Sequence, residues 1–136
     1  MSRRLLSIVG ALALTACSAG ADTKTAEVGV ANFHRDVDAG KIAQIYDTSA
    51  PEMKSSITRD EFVKLLTVMR TKLGPYKSGK TTAWNINVGT GGHLVTLNRE
   101  VQFERGPGTE EFVFRVEGGK AVLVGWHVYS NVLITG

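Results

Sequence analysis

The chain lacks the cysteines that crosslink many small proteins, and it has no apolar run long enough to span a membrane as a helix. It has 136 residues and a single cysteine, Cys17, so a framework of internal disulfides is excluded. Its main apolar run, residues 5–14, is ten residues long, whereas a membrane-spanning helix needs about 20. The sequence also lacks internal repeats and low-complexity segments. One hydrophobic core must therefore stabilise the folded part of the chain.

The N-terminus has the features of an export signal. Arg3 and Arg4 form a basic start, the apolar run follows, and the small residues Thr15 and Ala16 precede Cys17. Such a segment is removed from the mature protein and takes no part in its fold. One interpretation is an ordinary secretory signal cleaved elsewhere, which would leave Cys17 as a free thiol.

The four residues Leu14-Thr15-Ala16-Cys17 resemble the bacterial lipoprotein signal, in which a leucine and two small residues precede an invariant cysteine. The resemblance implies that residues 1–16 are a signal peptide and that Cys17 is the lipidation site. Several acyl chains anchor a protein almost permanently, because each buried CH₂ contributes about 0.8 kcal/mol. The resemblance also implies a cell-envelope protein that faces the periplasm. Ser18, where an aspartate would favour the inner membrane, favours the outer membrane.

Cleavage after residue 16 would leave 120 residues with 14 Lys and Arg against 13 Asp and Glu. A net charge near +1 leaves no basic surface for nucleic acid, so we expect no nucleic-acid partner. Residues 17–25 comprise the Cys17 lipidation site and a small, polar segment, 18–25, which predicts a flexible tether behind the lipid. Residues 26–136 then form a single domain.

Apolar spacing predicts helices in the first half of that domain. Residues 26–37 have apolar side chains every three or four positions, and a shorter segment of the same kind follows at residues 42–46. Pro51 suits the first turn of a third short helix. Thr58 and Glu61 form a capping box, which predicts a fourth helix that ends at Gly74.

After Pro75 the apolar residues alternate, which predicts four strands over residues 82–88, 95–103, 112–116 and 121–134. The connecting turns are predicted at residues 89–92, 106–108 and 117–120. The last strand is apolar on both faces. That pattern indicates a central position in the sheet, a covered face or a dimer contact, so a homodimer is one expectation.

Helices followed by four sequential strands predict an α+β fold, with N-terminal helices packed against a curved four-stranded antiparallel sheet that wraps the fourth helix. Segments such as Thr58-Arg59-Asp60-Glu61-Phe62 and Gly125-Trp126-His127-Val128 make residues 26–134 resemble small bacterial exported proteins of the cystatin-like or nuclear-transport-factor-like superfamily. Members include envelope domains, binding modules, isomerases and dehydratases. The resemblance therefore implies the fold and fixes no activity.

Few residues suggest chemistry. The three histidines, His34, His93 and His127, lack the spacing of a helical metal site, so we expect no metal and no cofactor. His127 is either a pocket acid or base or a residue on the outer face of the sheet. Arg99 interrupts an apolar strand face. It binds an anionic ligand, pairs with a structural carboxylate, or extends its charged end to solvent at an edge of the sheet.

These observations favour a membrane-tethered, non-enzymatic binding domain with a protein partner in the envelope. It would be either a component of an envelope assembly or a toxin-neutralising immunity protein. The alternative is a small-ligand carrier or an isomerase-like or dehydratase-like enzyme. That alternative requires an open pocket, for which the candidate lining residues are His127, Arg99, Tyr46 and Asp47.

Overall fold

A computed structural model of the chain describes residues 14–135. Predictions that concern residues 1–13 lie outside the described residues, and so does the side chain of Cys17. In chain order the elements are α1 (Leu14–Asp38), α2 (Ile42–Asp47), α3 (Pro51–Ser56), α4 (Arg59–Leu73), β1 (Tyr76–Gly89), β2 (Gly92–Phe103), β3 (Gly106–Glu117), β4 (Lys120–Tyr129) and α5 (Asn131–Thr135). None of the helices within 14–135 combines the length and the hydropathy needed to cross a bilayer.

The four strands form one open antiparallel sheet in the order β1-β2-β3-β4. Helices pack against this sheet, so the predicted α+β fold class is confirmed. The first and third turns lie where the glycines predicted them. In the third, Gly118 and Gly119 both have positive φ angles, 54° and 74°, which is the backbone that a tight two-residue hairpin requires.

Helix α1 is the element that covers the sheet, because it contacts all four strands. Its predicted apolar face is confirmed, with Ala26, Val30 and Phe33 buried. Phe33 packs on Phe112 and Trp126 with ring centroids 5.1 and 4.9 Å apart. The expectation that the sheet wraps α4 was wrong, since α4 lies mainly against α2, α5 and α1.

The predicted start of α4 is confirmed in detail. The Glu61 backbone N–H donates to the Thr58 hydroxyl, and the Thr58 backbone N–H donates to the Glu61 carboxylate at 3.0 Å. Gly74, with φ of 75°, follows the last residue of the helix. Pro51 occupies the first position of α3 as predicted. These local signals specify the start of α3 and the two ends of α4 without help from the rest of the fold.

The segment predicted as a tether, residues 18–25, is helical in the structure as part of α1. Two threonines in it, Thr23 and Thr25, donate their hydroxyl protons to carbonyls four residues earlier, so their polar groups are satisfied inside the helix. Asp22 also contacts the sheet, with Oδ2 2.5 Å from His93 Nδ1. Contacts with the sheet thus favour helix where composition alone indicated a flexible chain.

The last strand differs from its prediction in three ways. It ends at Tyr129, and residues 131–135 form α5 instead. It is an edge strand, so of the three alternatives for its apolar faces the central position was wrong. A register shift opposite Val113 and Phe114 places Leu123 and Trp126 opposite Phe114 and Phe112, so both lie on the helix-covered face although an odd spacing separates them.

The second turn also differs. It consists of Glu104 and Arg105, and residues 106–108, predicted as the turn, belong to β3. Pro107 pairs with Gln102 of β2, but β4 stops opposite Thr109. This part of β3 therefore has a strand neighbour on one side only, which is where a sheet tolerates proline.

Candidate functional site

The β2–β3 hairpin brings two opposite charges together inside the protein. The two-residue turn sets a register in which Arg99 lies directly opposite Glu110. Both residues are on the helix-covered face, and they are only 6% and 2% exposed. The Arg99 guanidinium donates from Nη1 to Glu110 Oε1 at 2.6 Å. This is a short, charge-assisted hydrogen bond in a site that excludes bulk water.

The Glu110 carboxylate also joins this pair to two other elements. His34 of α1, 5% exposed, has Nε2 2.9 Å from Glu110 Oε1. The Glu110 carboxylate can accept this hydrogen bond only from an imidazole that carries a proton on Nε2. The Trp126 indole N–H of β4 donates to Glu110 Oε2 at 3.2 Å. One carboxylate thus fastens α1, β2 and β4 to β3.

Tyr76, at the start of β1, closes the cluster on its remaining side. Its ring stacks on the imidazole of His34 with centroids 3.8 Å apart and an interplanar angle of 8°. Its hydroxyl accepts a hydrogen bond from Arg99 Nη2 at 3.4 Å. A Cβ atom at Gly79 would lie 2.8 Å from that hydroxyl and 3.1 Å from both Arg99 Nη atoms, so only glycine leaves room for this arrangement.

The sixth member, Glu27, approaches the cluster from α1. Its Oε2 lies 4.0 Å from Arg99 Nε, and its Oε1 accepts a hydrogen bond from the Thr81 hydroxyl. Arg99 Nε itself is buried and has no hydrogen-bond partner in the described part of the chain. Glu27 therefore adds negative charge beside the guanidinium without a direct hydrogen bond.

Burial and pairing act in opposite directions on Arg99. Burial lowers the pKa of Arg99, but the hydrogen bond to Tyr76 and the negative charge of Glu110 outweigh burial and raise that pKa above its ordinary value. The guanidinium is therefore held firmly in its charged form. A permanently charged, paired arginine stabilises an anion, but it is a poor proton donor.

The cluster leaves almost no space for a ligand. The cavity beside it, between α1, α4 and the sheet, has a volume of about 20 Å³. Its lining includes His34, Tyr76 and Trp126 from the cluster together with Leu66 and Met69 from α4. About 10–15 Å³ of such space holds one water molecule, whereas ligand pockets usually measure about 300–1,000 Å³. In this conformation the polar groups bind one another.

Comparison with known proteins gives a family. Residues 30–126 match the family model DUF4019, whose description is a protein of unknown function. The chain belongs to the DUF4019 family. A search of curated proteins found none that matches the chain.

The segment matched to DUF4019 contains almost the whole polar cluster. It begins four residues before His34, includes Arg99 and Glu110, and ends at Trp126. Cys17 and Glu27 precede it. The family match therefore covers most of the sheet and the C-terminal part of α1, and it is independent of the N-terminal signal.

The four residues considered as pocket lining lie at three separate places. Arg99 is in the buried cluster and pairs with Glu110, as the structural-carboxylate interpretation predicted. The interpretation that it extends to solvent at a sheet edge was wrong, because it is buried between the sheet and α1. Tyr46 is buried on α2, where its hydroxyl donates to the Ile57 carbonyl at 2.8 Å. The structure does not bring Tyr46 and Arg99 around one cavity.

The other two residues are at the surface. Asp47 is exposed and paired with Arg59 at 2.9 Å, and the hydrogen bond from Arg59 lowers the pKa of this carboxyl. His127 is exposed on the outer face of the sheet, opposite Glu111 of β3. Among the residues that the structure describes, no three His, Cys, Asp or Glu side chains lie close enough to hold a metal ion.

Sequence reasoning missed Glu110, His34, Tyr76 and Glu27. One signal was present: Glu110 occupies the same alternating face as Phe112 and Phe114, just as Arg99 occupies the face of Leu97 and Val101. The misplaced second turn concealed the pairing, because register in a hairpin follows from the turn. No local pattern identifies His34, Tyr76 or Glu27. Glu27 contacts Thr81, which is 54 positions away in the chain, and His34 contacts Glu110, which is 76 positions away.

Proposed function

We propose that this DUF4019 protein is a lipid-anchored interaction domain of the bacterial cell envelope, with Cys17 as its lipidation site. Support for the anchor comes from Leu14-Thr15-Ala16-Cys17 and the basic, apolar segment before it. The domain would face the periplasm, and Ser18 favours the outer membrane. The open sheet with its helices also supports a relationship to the cystatin-like or nuclear-transport-factor-like superfamily.

The observation that carries the interaction function is the closed interior. Glu110 pairs with both His34 and Arg99 in the interior. The cavity beside these three residues holds about one water molecule. Binding of anything larger would therefore take place at the surface. Several large apolar side chains are exposed there, among them Trp84, Val88 and Tyr129, and such residues are typical of protein contacts.

The anchor is tested by Cys17→Ser in the full chain, expressed in a bacterium with a lipoprotein pathway. We expect the wild-type protein in the membrane fraction and the variant released from it. Ser18→Ala is the matched control, since it changes the adjacent residue and keeps the cysteine. Unchanged membrane association of Cys17→Ser would contradict the anchor.

The interaction function is tested by crosslinking the wild-type chain in intact cells, followed by purification and mass spectrometry. We expect a reproducible, stoichiometric protein partner, either a second copy or another envelope protein. Parallel screening of small molecules by thermal shift covers the alternative. A specific ligand together with no crosslinked partner would overturn the interaction function.

A further inference from the structure

The two edge strands of the sheet, β4 and β1, differ in what lies beside their outer edges. The β4 edge is covered, because the Ala50 backbone N–H donates to the Leu123 carbonyl at 2.8 Å and α3 packs on this strand. The main neighbours of β1 are β2 and α1, and its other edge is unpaired in the sheet that the structure describes. An unpaired edge presents backbone donors and acceptors that can accept another strand.

The first half of β1 carries the usual protections against such pairing. Register shifts occur between Tyr76 and Ser78 and again between Thr81 and Ala83. Lys77 and Lys80 also lie in this half. Irregular, charged edges resist the addition of a further strand.

The second half of β1 lacks these protections. Residues 83–89 pair with β2 without a register shift and contain no charged side chain. Trp84 and Val88 lie on the helix-covered face, yet they are 55% and 69% exposed. Seven regular, uncharged residues with exposed apolar side chains form a surface suited to strand addition.

The order of residues in this half is self-complementary. If a second copy pairs antiparallel about Ile86, then Trp84 of each copy lies opposite Val88 of the other on one face. On the opposite face Asn85 lies opposite Asn87. Ile86 meets itself at the twofold axis, and Lys80 falls opposite Gly92, beyond the end of the partner's strand.

We infer that residues 83–89 are a homodimer interface, in which the β1 strands of two copies pair antiparallel about Ile86 and join two sheets into one of eight strands. This contact is isologous, so the same surface is used by both copies and the assembly closes at two. Cross-strand apolar pairs and amide pairs supply its side-chain contacts.

The inference rests on the proposed interaction function, because it assumes that the exposed β1 edge binds a protein. It does not depend on the lipid anchor at Cys17. The two therefore fail separately. Loss of the anchor appears in membrane fractionation, whereas loss of the dimer appears in the mass of the purified protein.

The test uses two exposed positions of the outer face, Asn85 and Asn87, in the full chain. Asn85→Lys with Asn87→Lys places like charges opposite one another twice in the dimer. Asn85→Lys with Asn87→Glu places opposite charges there twice, and it is the matched control. Sedimentation equilibrium of the wild type and both double variants in density-matched detergent gives their masses, and association through shared micelles would be common to all three.

We expect the wild type and the Lys/Glu variant to be dimers and the Lys/Lys variant to associate about tenfold more weakly. Circular dichroism checks that all three are folded. If all three proteins are dimers, the interface does not involve residues 83–89. If the wild type is a monomer, the proposed homodimer does not form. A Lys/Glu variant as weak as the Lys/Lys variant would overturn the proposed register.

Discussion

The two tryptophans of the chain lie on the same face of the sheet in opposite surroundings. Trp126 of β4 packs on Phe33 and donates its indole N–H to the buried Glu110. Trp84 of β1 is 55% exposed at the open edge. Polar groups are thus paired in the interior, while an apolar ring is exposed to water at the rim, which is the open β1 edge of the sheet. The interior therefore serves to hold α1 on the sheet, and the rim is where we expect binding.

The largest loss of stability is expected from a change at Glu110. Glu110→Ala leaves Arg99 buried without its partner, so we expect a loss of about 3–5 kcal/mol in the free energy of unfolding. Glu111→Ala changes the next residue, which lies on the outer face, and it should cost less than about 0.5 kcal/mol. Urea denaturation of both variants measures the difference. Equal, small losses would show that the cluster does not stabilise the fold.

Substitution of each tryptophan by phenylalanine tests the comparison directly. Trp126→Phe removes a hydrogen bond to a buried carboxylate, and we expect it to cost about 1–3 kcal/mol. Trp84→Phe keeps an aromatic ring at an exposed site, and it should change stability by at most about 0.5 kcal/mol in the monomer. Thermal unfolding at low protein concentration checks both. A larger loss of stability for Trp84→Phe than for Trp126→Phe would contradict the view that Trp126 belongs to the interior and Trp84 to the exposed edge.

Two glycines of α1 differ in how closely the helix lies on the sheet around them. A Cβ atom at Gly29 would lie 2.9 Å from the buried ring of Phe114, so we expect Gly29→Ala to destabilise the protein by about 1–2 kcal/mol. Gly20 has open space around it. Gly20→Ala should therefore stabilise the helix by about 0.5–1 kcal/mol. Stabilisation by both changes would contradict the close packing of α1.

The smallest effect is expected from an exposed ion pair, the counterpart of the buried one. Hydrogen bonds from Arg115 lower the pKa of Glu52 to about 2, from an ordinary value of 4.5. A carboxyl with a lowered pKa in the folded state stabilises the protein above its unfolded pKa. That contribution is present above about pH 4.5 and is lost as the pH falls toward 2.

We therefore expect Glu52→Gln to lower the melting temperature at pH 7 and to have no effect near pH 2. Melting curves between those values measure the convergence. Glu100→Gln is the control, because Glu100 has a longer contact, 3.5 Å to Lys80. A constant difference between wild type and Glu52→Gln across the whole range would contradict the shifted pKa.

Local signals in the sequence predicted the elements better than their partners. The capping box at Thr58 and the glycine pair in the third turn fix structure within a few residues, so they could be recognised. The second turn could not, because residues 106–108 look like a turn and Glu104-Arg105 does not. Arg99 was seen as a charge that needs a partner, but the partner depends on hairpin register.

Tertiary contacts decided the remaining differences. Val124 is the extra residue in the β4 register shift, and a strict alternation of faces cannot anticipate it. Contact between Asp22 and His93 favours helix in a segment whose composition indicates a tether. The polar cluster joins five elements from distant parts of the chain, and a single sequence contains no record of that proximity.

Hydrogen exchange of the two indole N–H groups, followed by NMR, shows whether the interior is closed to solvent and the β1 edge is open. At a protein concentration below that of dimer formation, we predict slow exchange for Trp126, whose N–H is held by Glu110, and rapid exchange for Trp84. Raising the concentration should slow exchange at Trp84 alone. Rapid exchange at Trp126 would show that the cluster is open to solvent, and that result would contradict a closed, structural interior.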